Sequence, residues 1–173
     1  MVRQAEKESG GLYALVNNAG IASMNAMLLT PSATARRIME TNALGTFNLM
    51  QEVAKGMCRR KEGRVVNVSS IAAALDLEGE ALYAASKSAV ESLTRVAARE
   101  FGGHGVTVNA VGPTAIDTDL VRGVPDEKLR QLMERQAIPR AGQPEDLLNA
   151  VEFFLRPESD FISGQVLYLG GVT

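Results

Sequence analysis

Residues 70–87 read SIAAALDLEGEALYAASK and lead from the end of an apolar run into a helical pattern. Tyr83 and Lys87 are four positions apart, so on a helix they share one face, with the ammonium beside the phenol. A phenol has an ordinary pKa of about 10, and a nearby ammonium is expected to lower it. Ser70 supplies a hydroxyl that can polarise a carbonyl oxygen. The stretch therefore predicts proton transfer to or from an alcohol oxygen.

Short apolar runs before and after this stretch predict strands that are buried on both faces of a sheet. They occupy residues 12–16, 64–68, 106–111 and 166–169. Helical patterns alternate with them at residues 2–9, 32–59, 82–101 and 125–136, and from Pro144 onward. This alternation indicates right-handed parallel crossovers. The predicted fold is α/β, a doubly wound parallel sheet of about four strands with flanking helices.

The composition suits one soluble globular domain, since 46% of the 173 residues are hydrophobic and 22% are charged. A net charge of -2 predicts neither nucleic acid nor an anionic membrane as a partner. No apolar run approaches the about 20 residues of a membrane span, and the N-terminus lacks the apolar core of a signal peptide. With Cys58 as the only cysteine and His104 as the only histidine, a reducing cytoplasm and no metal site are expected.

Polar or small residues follow the predicted strands. Asn17-Asn18-Ala19-Gly20 follows the first strand, Ser70 follows the second, and residues 113–118 follow the third. Ligands bind to open parallel sheets at the carboxyl ends of the strands, so these loops are expected to meet at one site. A structural alternative stays open for the first loop, which can satisfy strand-end hydrogen bonds without any ligand.

Motifs over nearly the whole chain strengthen this prediction. They are NNAG at 17–20, TNALGTF at 41–47, VNVSS at 66–70, YAASK at 83–87, VNAVGP at 108–113 and ISGQVLYLGG at 162–171. In this order and spacing, the chain resembles the short-chain dehydrogenase/reductase family. The subgroup most similar to it contains 3-oxoacyl-carrier-protein reductases, glucose dehydrogenases and related ketone reductases. The resemblance implies hydride transfer between NAD or NADP and a small carbonyl or secondary-alcohol substrate, by a homo-oligomer (dimer or tetramer).

The resemblance also implies catalytic roles for particular residues. Tyr83 would be the general acid or base, and Lys87 would lower its pKa and hold the nicotinamide ribose. Ser70 would orient the substrate carbonyl. Asn42 would bend its helix and hold a water molecule in a proton relay. Asn42, Ser70, Tyr83 and Lys87 are therefore the predicted catalytic residues.

Contacts with the cofactor follow from the same resemblance. The predicted cofactor-binding residues are Asn17, Ala19, Gly20, Asn42, Tyr83, Lys87, Pro113, Ile116 and Thr118. Those after the first strand would line the adenosine side and stabilise the sheet, and those after the third would lie against the nicotinamide and its carboxamide. Thr118 has a structural alternative as the cap of a helix over residues 119–122. Residues 119–136 correspond to the segment that closes over the substrate in the family.

The chain departs from the family's pattern in two ways. Thr114 stands where the family commonly has glycine, and the loop is expected to differ because threonine tolerates positive φ poorly. No glycine-rich phosphate loop follows any predicted strand, so the family's N-terminal βαβ unit is expected to be absent. Residues 1–173 would then form a single truncated domain, the C-terminal part of the sheet. Its first strand would lie at an exposed edge and pair with a second copy or with a missing segment.

Three hypotheses about function follow. In the first, the protein is an oxidoreductase with a Ser-Tyr-Lys-Asn proton-transfer site. In the second, it is a catalytically impaired remnant that binds itself, a partner or a small carbonyl compound. In the third, it is a fragment of a longer reductase. The substrate and the choice between NAD and NADP stay open, because residues 119–136 carry no decisive group and the portion that selects the cofactor would be missing.

Overall fold

The computed structural model describes residues 1–116, 118, 121 and 124–172 of the chain. Its strands are β1 (Ala14–Asn17), β2 (Gly63–Val68), β3 (Val106–Gly112) and β4 (Val166–Tyr168). They form one sheet in the spatial order β1-β2-β3-β4, and every neighbouring pair is parallel. Because helices separate consecutive strands, the architecture is α/β with crossover connections. This confirms the predicted fold class.

Seven helices are described, and most of them follow the sequence patterns. They are α1 (Val2–Ser9), α2 (Ser32–Met39), α3 (Gly45–Arg60), α4 (Ala72–Leu75), α5 (Ala81–Gly102), α6 (Asp126–Glu134) and α7 (Pro144–Leu155). The predicted stop after residue 9 is confirmed, since Gly10 ends α1 in the left-handed conformation with φ 73°. The short helix α4 was not predicted, because four residues are too few to give a periodic pattern.

The core lies on both faces of the central strands, and every residue of β2 and β3 is buried. On one face, Val65 and Val108 pack against side chains of α3 and α5. On the other face, Val66 and Val111 pack against α7, where Phe154 is 2% exposed. Full burial of such a side chain stabilises the fold by about 1.5–3 kcal/mol. This packing fixes the ends of β2 and β3, which carry the loops of the predicted site.

Strand β1 lies at an edge of the sheet, as predicted. It begins at Ala14 rather than at residue 12, and it includes Asn17. The expectation that this run is buried on both faces is wrong, since Val16 is 41% exposed and the preceding Tyr13 is 38% exposed. The reason is that, among the described elements, β1 pairs with β2 alone and packs mainly against α3.

The helical pattern over residues 32–59 contains an interruption. Between α2 and α3, the segment Glu40–Leu44 forms a π-helical turn, in which the Gly45 amide donates to the Glu40 carbonyl five residues earlier. Such turns insert one extra residue and are frequent at functional sites. Asn42 lies inside this turn and is 1% exposed. The helix is therefore interrupted at Asn42, and the bend predicted there stays a prediction.

Helix α6 belongs to the segment that the resemblance places over the substrate. It covers Asp126–Glu134 and is slightly shorter than the predicted helix. Residues 119, 120, 122 and 123 of that segment lie outside the described part of the chain. None of the described helices has the length and apolar character that crossing a lipid bilayer requires.

Candidate active site

A cavity of about 640 Å³ opens where the loops after β1, β2 and β3 meet. The sheet places it there, because the carboxyl ends of parallel strands lie at the same edge. The predicted site residues that line it are Gly20, Ser70, Tyr83, Lys87, Pro113, Ile116 and Thr118. Asn17, Ala19 and Asn42 do not line it. Residues from distant parts of the sequence therefore meet in one cavity.

Tyr83 lies in the first turn of α5 and is 8% exposed. Burial raises the pKa of its phenol above the ordinary value of 10.0, the nearby Ser70 side chain lowers it, and the Glu80 carboxylate raises it further. The expectation of a lowered pKa is therefore wrong for this structure. The cause is burial, which disfavours the charged phenolate more than the nearby Ser70 side chain favours it.

Lys87 lies one helical turn after Tyr83, as the four-residue spacing predicts. Its Nζ donates a hydrogen bond of 2.8 Å to the Val68 carbonyl and lies 5.7 Å from the centroid of the Tyr83 ring. Burial lowers the pKa of Lys87 from 10.5 to about 8. At neutral pH the ammonium is still the main form, and it faces the π system of the phenol.

Ser70 ends the loop that follows β2. Its Oγ accepts a hydrogen bond of 3.1 Å from the Ala72 amide, and it also interacts with the Tyr83 phenol. The neighbouring Ser69 donates to Glu91 Oε1 at 2.7 Å, and Tyr168 donates to the same oxygen at 2.6 Å. These bonds tie the end of β2 to α5 and β4. The position of the Ser70 hydroxyl is therefore set by several elements at once.

Asn42 lies behind the cavity and holds the loop after β1. Its Nδ2 donates to the Ile21 carbonyl and to Ser86 Oγ, and its Oδ1 accepts from the Ile21 amide, each at 2.9 Å. Ser86 lies one turn after Tyr83 and donates in turn to the Tyr83 carbonyl at 2.7 Å. The side chain thus links the loop to the helix that carries Tyr83. A role for Asn42 in holding water stays a prediction.

The NNAG loop divides into two parts. Asn17 is buried, and its Nδ2 donates to Asn67 Oδ1 at 2.8 Å, while Asn67 Nδ2 donates to Thr94 Oγ1 at 2.9 Å. This is the strand-end hydrogen bonding of the structural alternative. Ala19 is exposed and does not line the cavity. For both residues, contact with the adenosine part of a cofactor stays a prediction.

Gly20 approaches the cationic side of the cavity closely. A Cβ at this position would lie 3.3 Å from both Lys87 Nζ and Asn42 Oδ1. Those distances are tighter than ordinary van der Waals contact, so a side chain would press on both groups. Glycine therefore allows the loop to lie against Lys87.

The loop after β3 forms the opposite wall. The Pro113 carbonyl accepts a hydrogen bond of 3.1 Å from the Ile71 amide, and Ile116 makes a parallel bridge with Gly142. Thr114 does not have a positive φ. The reason given for a different loop at this position, that threonine tolerates positive φ poorly, therefore does not apply. Thr118 Oγ1 donates to the Ile116 carbonyl at 3.2 Å. The helix that Thr118 was expected to cap begins at residue 119, which lies outside the described residues.

Sequence reasoning missed five charged residues of the cavity wall, and two of them, Glu80 and Lys128, affect the pKa values around Tyr83. Glu80 precedes α5, and its carboxylate raises the pKa of Tyr83. Burial raises the pKa of the Glu80 carboxyl itself, and Lys128 of α6 partly opposes that rise. Lys128 Nζ also lies 3.8 Å from Met24 Sδ, across the mouth of the cavity. The three-residue spacing from Glu80 to Tyr83 was a signal that could have been used. For Lys128, the only signal was its place in the segment 119–136 that the resemblance puts over the substrate, and no spacing singled it out within that segment.

The residues around Lys87 fit the nicotinamide and ribose end of a dinucleotide. Lys87 supplies a cation, Gly20 allows close approach, and the buried Thr114 Oγ1 has no hydrogen-bond partner among the described residues. Ligand sites of this type combine apolar walls with a few placed polar groups. The described residues contain no cluster of His, Cys, Asp and Glu side chains that could hold a metal ion.

Comparison with known proteins gives consistent results. The family model described as enoyl-(acyl carrier protein) reductase matches residues 1–173. The chain is 37% identical to the 3-oxoacyl-acyl-carrier-protein reductase FabG of Vibrio cholerae over 95% of the chain and 67% of that protein. It is 34% identical to FabG of Staphylococcus epidermidis over 99% of the chain and 70% of that protein. The chain thus spans about two thirds of the length of these relatives.

Solved structures share the same architecture. One described as a short-chain dehydrogenase/reductase family protein has a TM-score of 0.88 at 34% identity, covering 98% of this chain and 71% of the other. Another, from Agrobacterium tumefaciens and described as a candidate gluconate dehydrogenase, has a TM-score of 0.92 at 31% identity, covering 98% and 68%. The chain belongs to the short-chain dehydrogenase/reductase family of oxidoreductases.

Proposed function

We propose that the protein interconverts a carbonyl compound and a secondary alcohol with NAD or NADP as the hydride carrier. One observation carries the proposal: the Ser70 hydroxyl, the Tyr83 phenol and the Lys87 ammonium line one cavity. A hydroxyl and a phenol side by side can both bond to one substrate oxygen. Proton transfer to that oxygen is the chemistry that this pair suits best.

The cofactor would be held by residues of the cavity that come from two loops and one helix. Lys87 and the Gly20 loop suit the ribose, and Pro113, Ile116 and Thr118 suit the nicotinamide ring and its carboxamide. A bound nicotinamide supplies a hydride in carbonyl reduction and accepts one in alcohol oxidation. The chain's own residues bind the cofactor, orient the substrate and transfer the proton.

Tyr83 acts as the general acid in the reduction direction. Its phenol is protonated at neutral pH, so the proton is available for the developing alkoxide. Ser70 donates its own hydrogen bond to the same oxygen and orients the carbonyl. In the oxidation direction Tyr83 must lose its proton, and the Lys87 ammonium, close to the phenol ring, stabilises the resulting phenolate.

The walls of the cavity favour a substrate with an apolar body. Leu75, Leu129 and Leu132 contribute to them, together with Ile71 and Met24. Apolar walls recognise aliphatic chains through burial of their surface. The related reductases of V. cholerae and S. epidermidis are named for 3-oxoacyl groups, which have an apolar chain beside a carbonyl. A 3-oxoacyl thioester is therefore the first substrate to test.

The decisive experiment replaces Tyr83 with phenylalanine. Oxidation of NADH and of NADPH is followed by absorbance with an acetoacetyl thioester as substrate. Loss of a general acid typically costs about 10²- to 10⁴-fold in rate, so turnover by Tyr83→Phe should fall by at least about 100-fold. Tyr13→Phe is the matched control, because Tyr13 lies on the outer edge of the sheet and its OH donates only to the Leu155 carbonyl, at 3.3 Å.

Full residual turnover in Tyr83→Phe would refute the mechanism. Calorimetric titration of the wild-type protein with NADH and NADPH separates an enzyme from a non-catalytic remnant. Binding of either cofactor supports the proposal, and the tighter of the two identifies the carrier. Folded protein that binds neither would favour the remnant.

A further inference from the structure

Glu91 is a buried carboxylate of α5, on the same side of the helix as Tyr83 and Lys87 at intervals of four residues. It is 7% exposed, and it is not among the described residues that line the cavity. An acidic side chain is rarely buried unless it is paired or well hydrogen-bonded. Its ion-pair partner, Arg95, is largely exposed and lies 3.8 Å from Oε2, so that pair contributes little. The hydrogen bonds of Glu91 therefore have to account for its burial.

Oxygen Oε1 of Glu91 accepts two short hydrogen bonds from two different strand ends. Ser69 Oγ, directly after β2, donates to it at 2.7 Å, and the Tyr168 hydroxyl of β4 donates to it at 2.6 Å. Hydrogen bonds to a carboxylate are about twice as strong as those between neutral groups. The carboxylate therefore fastens the ends of β2 and β4 to the helix that carries Tyr83.

Tyr168 reaches Glu91 by crossing the end of β3. Gly112 is the partner of Tyr168 in the sheet register, and a Cβ at Gly112 would overlap the Tyr168 ring. Glycine at this position therefore allows the ring to lie against the backbone of β3. The phenol thus spans from β4 across β3 to α5, at the edge of the sheet where the cavity opens.

The contact with Ser69 bears directly on Ser70, which is the next residue of the chain. The Ser69 amide donates to the Val111 carbonyl at 2.7 Å, so the backbone of Ser69 is held to β3 while its side chain is held to α5. Because Ser70 is one peptide unit further, a displacement of Ser70 relative to Tyr83 would strain the bond between Ser69 and Glu91. That bond therefore couples the two hydroxyl groups of the site.

We propose that Glu91 is a positioning residue, whose carboxylate holds Ser70 and Tyr83 at the separation at which both contact one substrate oxygen. The inference rests on the proposed oxidoreductase function. Glu91 acts through the acceptor that it offers to Ser69, and not by contact with substrate or cofactor. Misplacement of a reacting group by 1 Å can cost about 10²-fold in rate. Loss of the acceptor should therefore slow turnover while the walls of the cavity stay in place.

Two variants separate the acceptor from the size of the side chain. Glu91→Met and Glu91→Gln are both close to glutamate in size, but methionine offers Ser69 and Tyr168 only a weak acceptor, whereas the glutamine carbonyl oxygen can accept from both. Arg95→Gln is the matched control, because Arg95 approaches only the other oxygen, Oε2. For each protein, kcat and KM for acetoacetyl thioester, the dissociation constants for NADH and NADPH, and the melting temperature are measured.

Glu91→Met should lower kcat by at least about 10-fold. KM and the dissociation constant of the cofactor should change by less than about 3-fold, because the lost alignment acts only in the transition state. The value of kcat is expressed per cofactor-binding site counted by titration, so unfolded molecules do not enter it. A residue that only stabilised the fold would lower the melting temperature and the number of sites, but not kcat per site. Glu91→Gln and Arg95→Gln should keep kcat within about 3-fold of the wild type.

A double-mutant cycle tests the path through Ser69. Ser69→Ala removes the donor and should lower kcat as Glu91→Met does. Residues that act through one shared contact have effects that do not add. The double variant should therefore be no slower than Glu91→Met alone.

Three results would overturn the inference. Wild-type kcat per site in Glu91→Met would mean that the carboxylate does not position the site. Equal losses in Glu91→Met and Glu91→Gln would assign the effect to charge rather than to the acceptor. Additive losses in Ser69→Ala and Glu91→Met would mean that Ser69 is not the link. Failure of the proposed function is a different result, in which the wild-type protein itself neither binds a nicotinamide cofactor nor reduces the substrate.

Discussion

Lys87 should make the stability of the protein depend on pH between about 7.5 and 9.5. Burial lowers the pKa of its ammonium from 10.5 in the unfolded chain to about 8 in the fold. Between these values the unfolded chain binds more protons than the folded protein, so the free energy of unfolding rises with pH. A difference of one pKa unit corresponds to about 1.4 kcal/mol. Over this pH range, Lys87 should therefore contribute a rise of about 2 kcal/mol.

The test compares wild type with Lys87→Met by urea denaturation at half-unit steps of pH, with linear extrapolation to water. Other groups also titrate in this range, since burial raises the pKa values of Cys58, Tyr83 and Tyr168 in the fold. A raised pKa of an acid lowers stability as pH rises, so these groups oppose the Lys87 effect. They are present in both proteins, so the difference between the two curves isolates Lys87.

Lys87→Arg is the matched control, because a guanidinium stays charged throughout the range. Relative to either variant, the free energy of unfolding of the wild type should rise by about 2 kcal/mol from pH 7.5 to 9.5. The difference between the two variants should stay flat. A stability difference between wild type and the variants that does not change with pH would refute the burial argument. A decline would mean that the pKa of Lys87 is raised by a partner rather than lowered.

Two further predictions concern the loop after β1 and the exposed sheet edge. Asn42→Ala should lower the free energy of unfolding by about 2–4 kcal/mol, because three hydrogen bonds of 2.9 Å are lost and their partners remain partly buried. Urea denaturation measures this loss, and Asn48→Ala on the exposed face of α3 should leave stability unchanged. Val16→Lys should abolish self-association through β1, measured by sedimentation at micromolar concentration, whereas Leu28→Lys should not. A wild-type protein that is strictly monomeric there would contradict pairing at this edge.

The sheet was predictable because its strands have a strong local signal. In β2 and β3 the apolar runs are continuous, and both strands are buried throughout. Their ends were placed within one residue, since glycine, serine or proline follows each run. β1 gave the same local signal with a different outcome. An apolar run indicates that a strand has surface to bury. The tertiary fold alone determines how many strands and helices bury it, and Val16 remains 41% exposed.

The sequence predicted which residues meet at the site better than it predicted their pKa values. Helical spacing placed Tyr83 and Lys87 on one face, and strand ends brought Ser70 and Pro113 to the same cavity. The direction of the Tyr83 pKa shift was wrong, because the prediction weighed the ammonium and not the burial of the phenol. Burial is a property of the assembled fold. For the same reason, neither Lys128 of α6 nor the linkage of Asn42 to Ser86 could be found in sequence spacing.

The features that cost stability in this protein lie around the cavity. Lys87 is a buried cation whose pKa falls to about 8, Thr114 has a buried hydroxyl without a partner among the described residues, and burial raises the pKa of Tyr83. The buried cation and the unpartnered hydroxyl are unfavourable to the fold, and all three residues line the same cavity. A packed core of the same volume would use apolar residues at these positions, which would be at least as stable. A ligand that satisfies these groups binds the folded state alone and stabilises it by mass action. The distribution of unfavourable groups is therefore an independent argument that the cavity is a binding site.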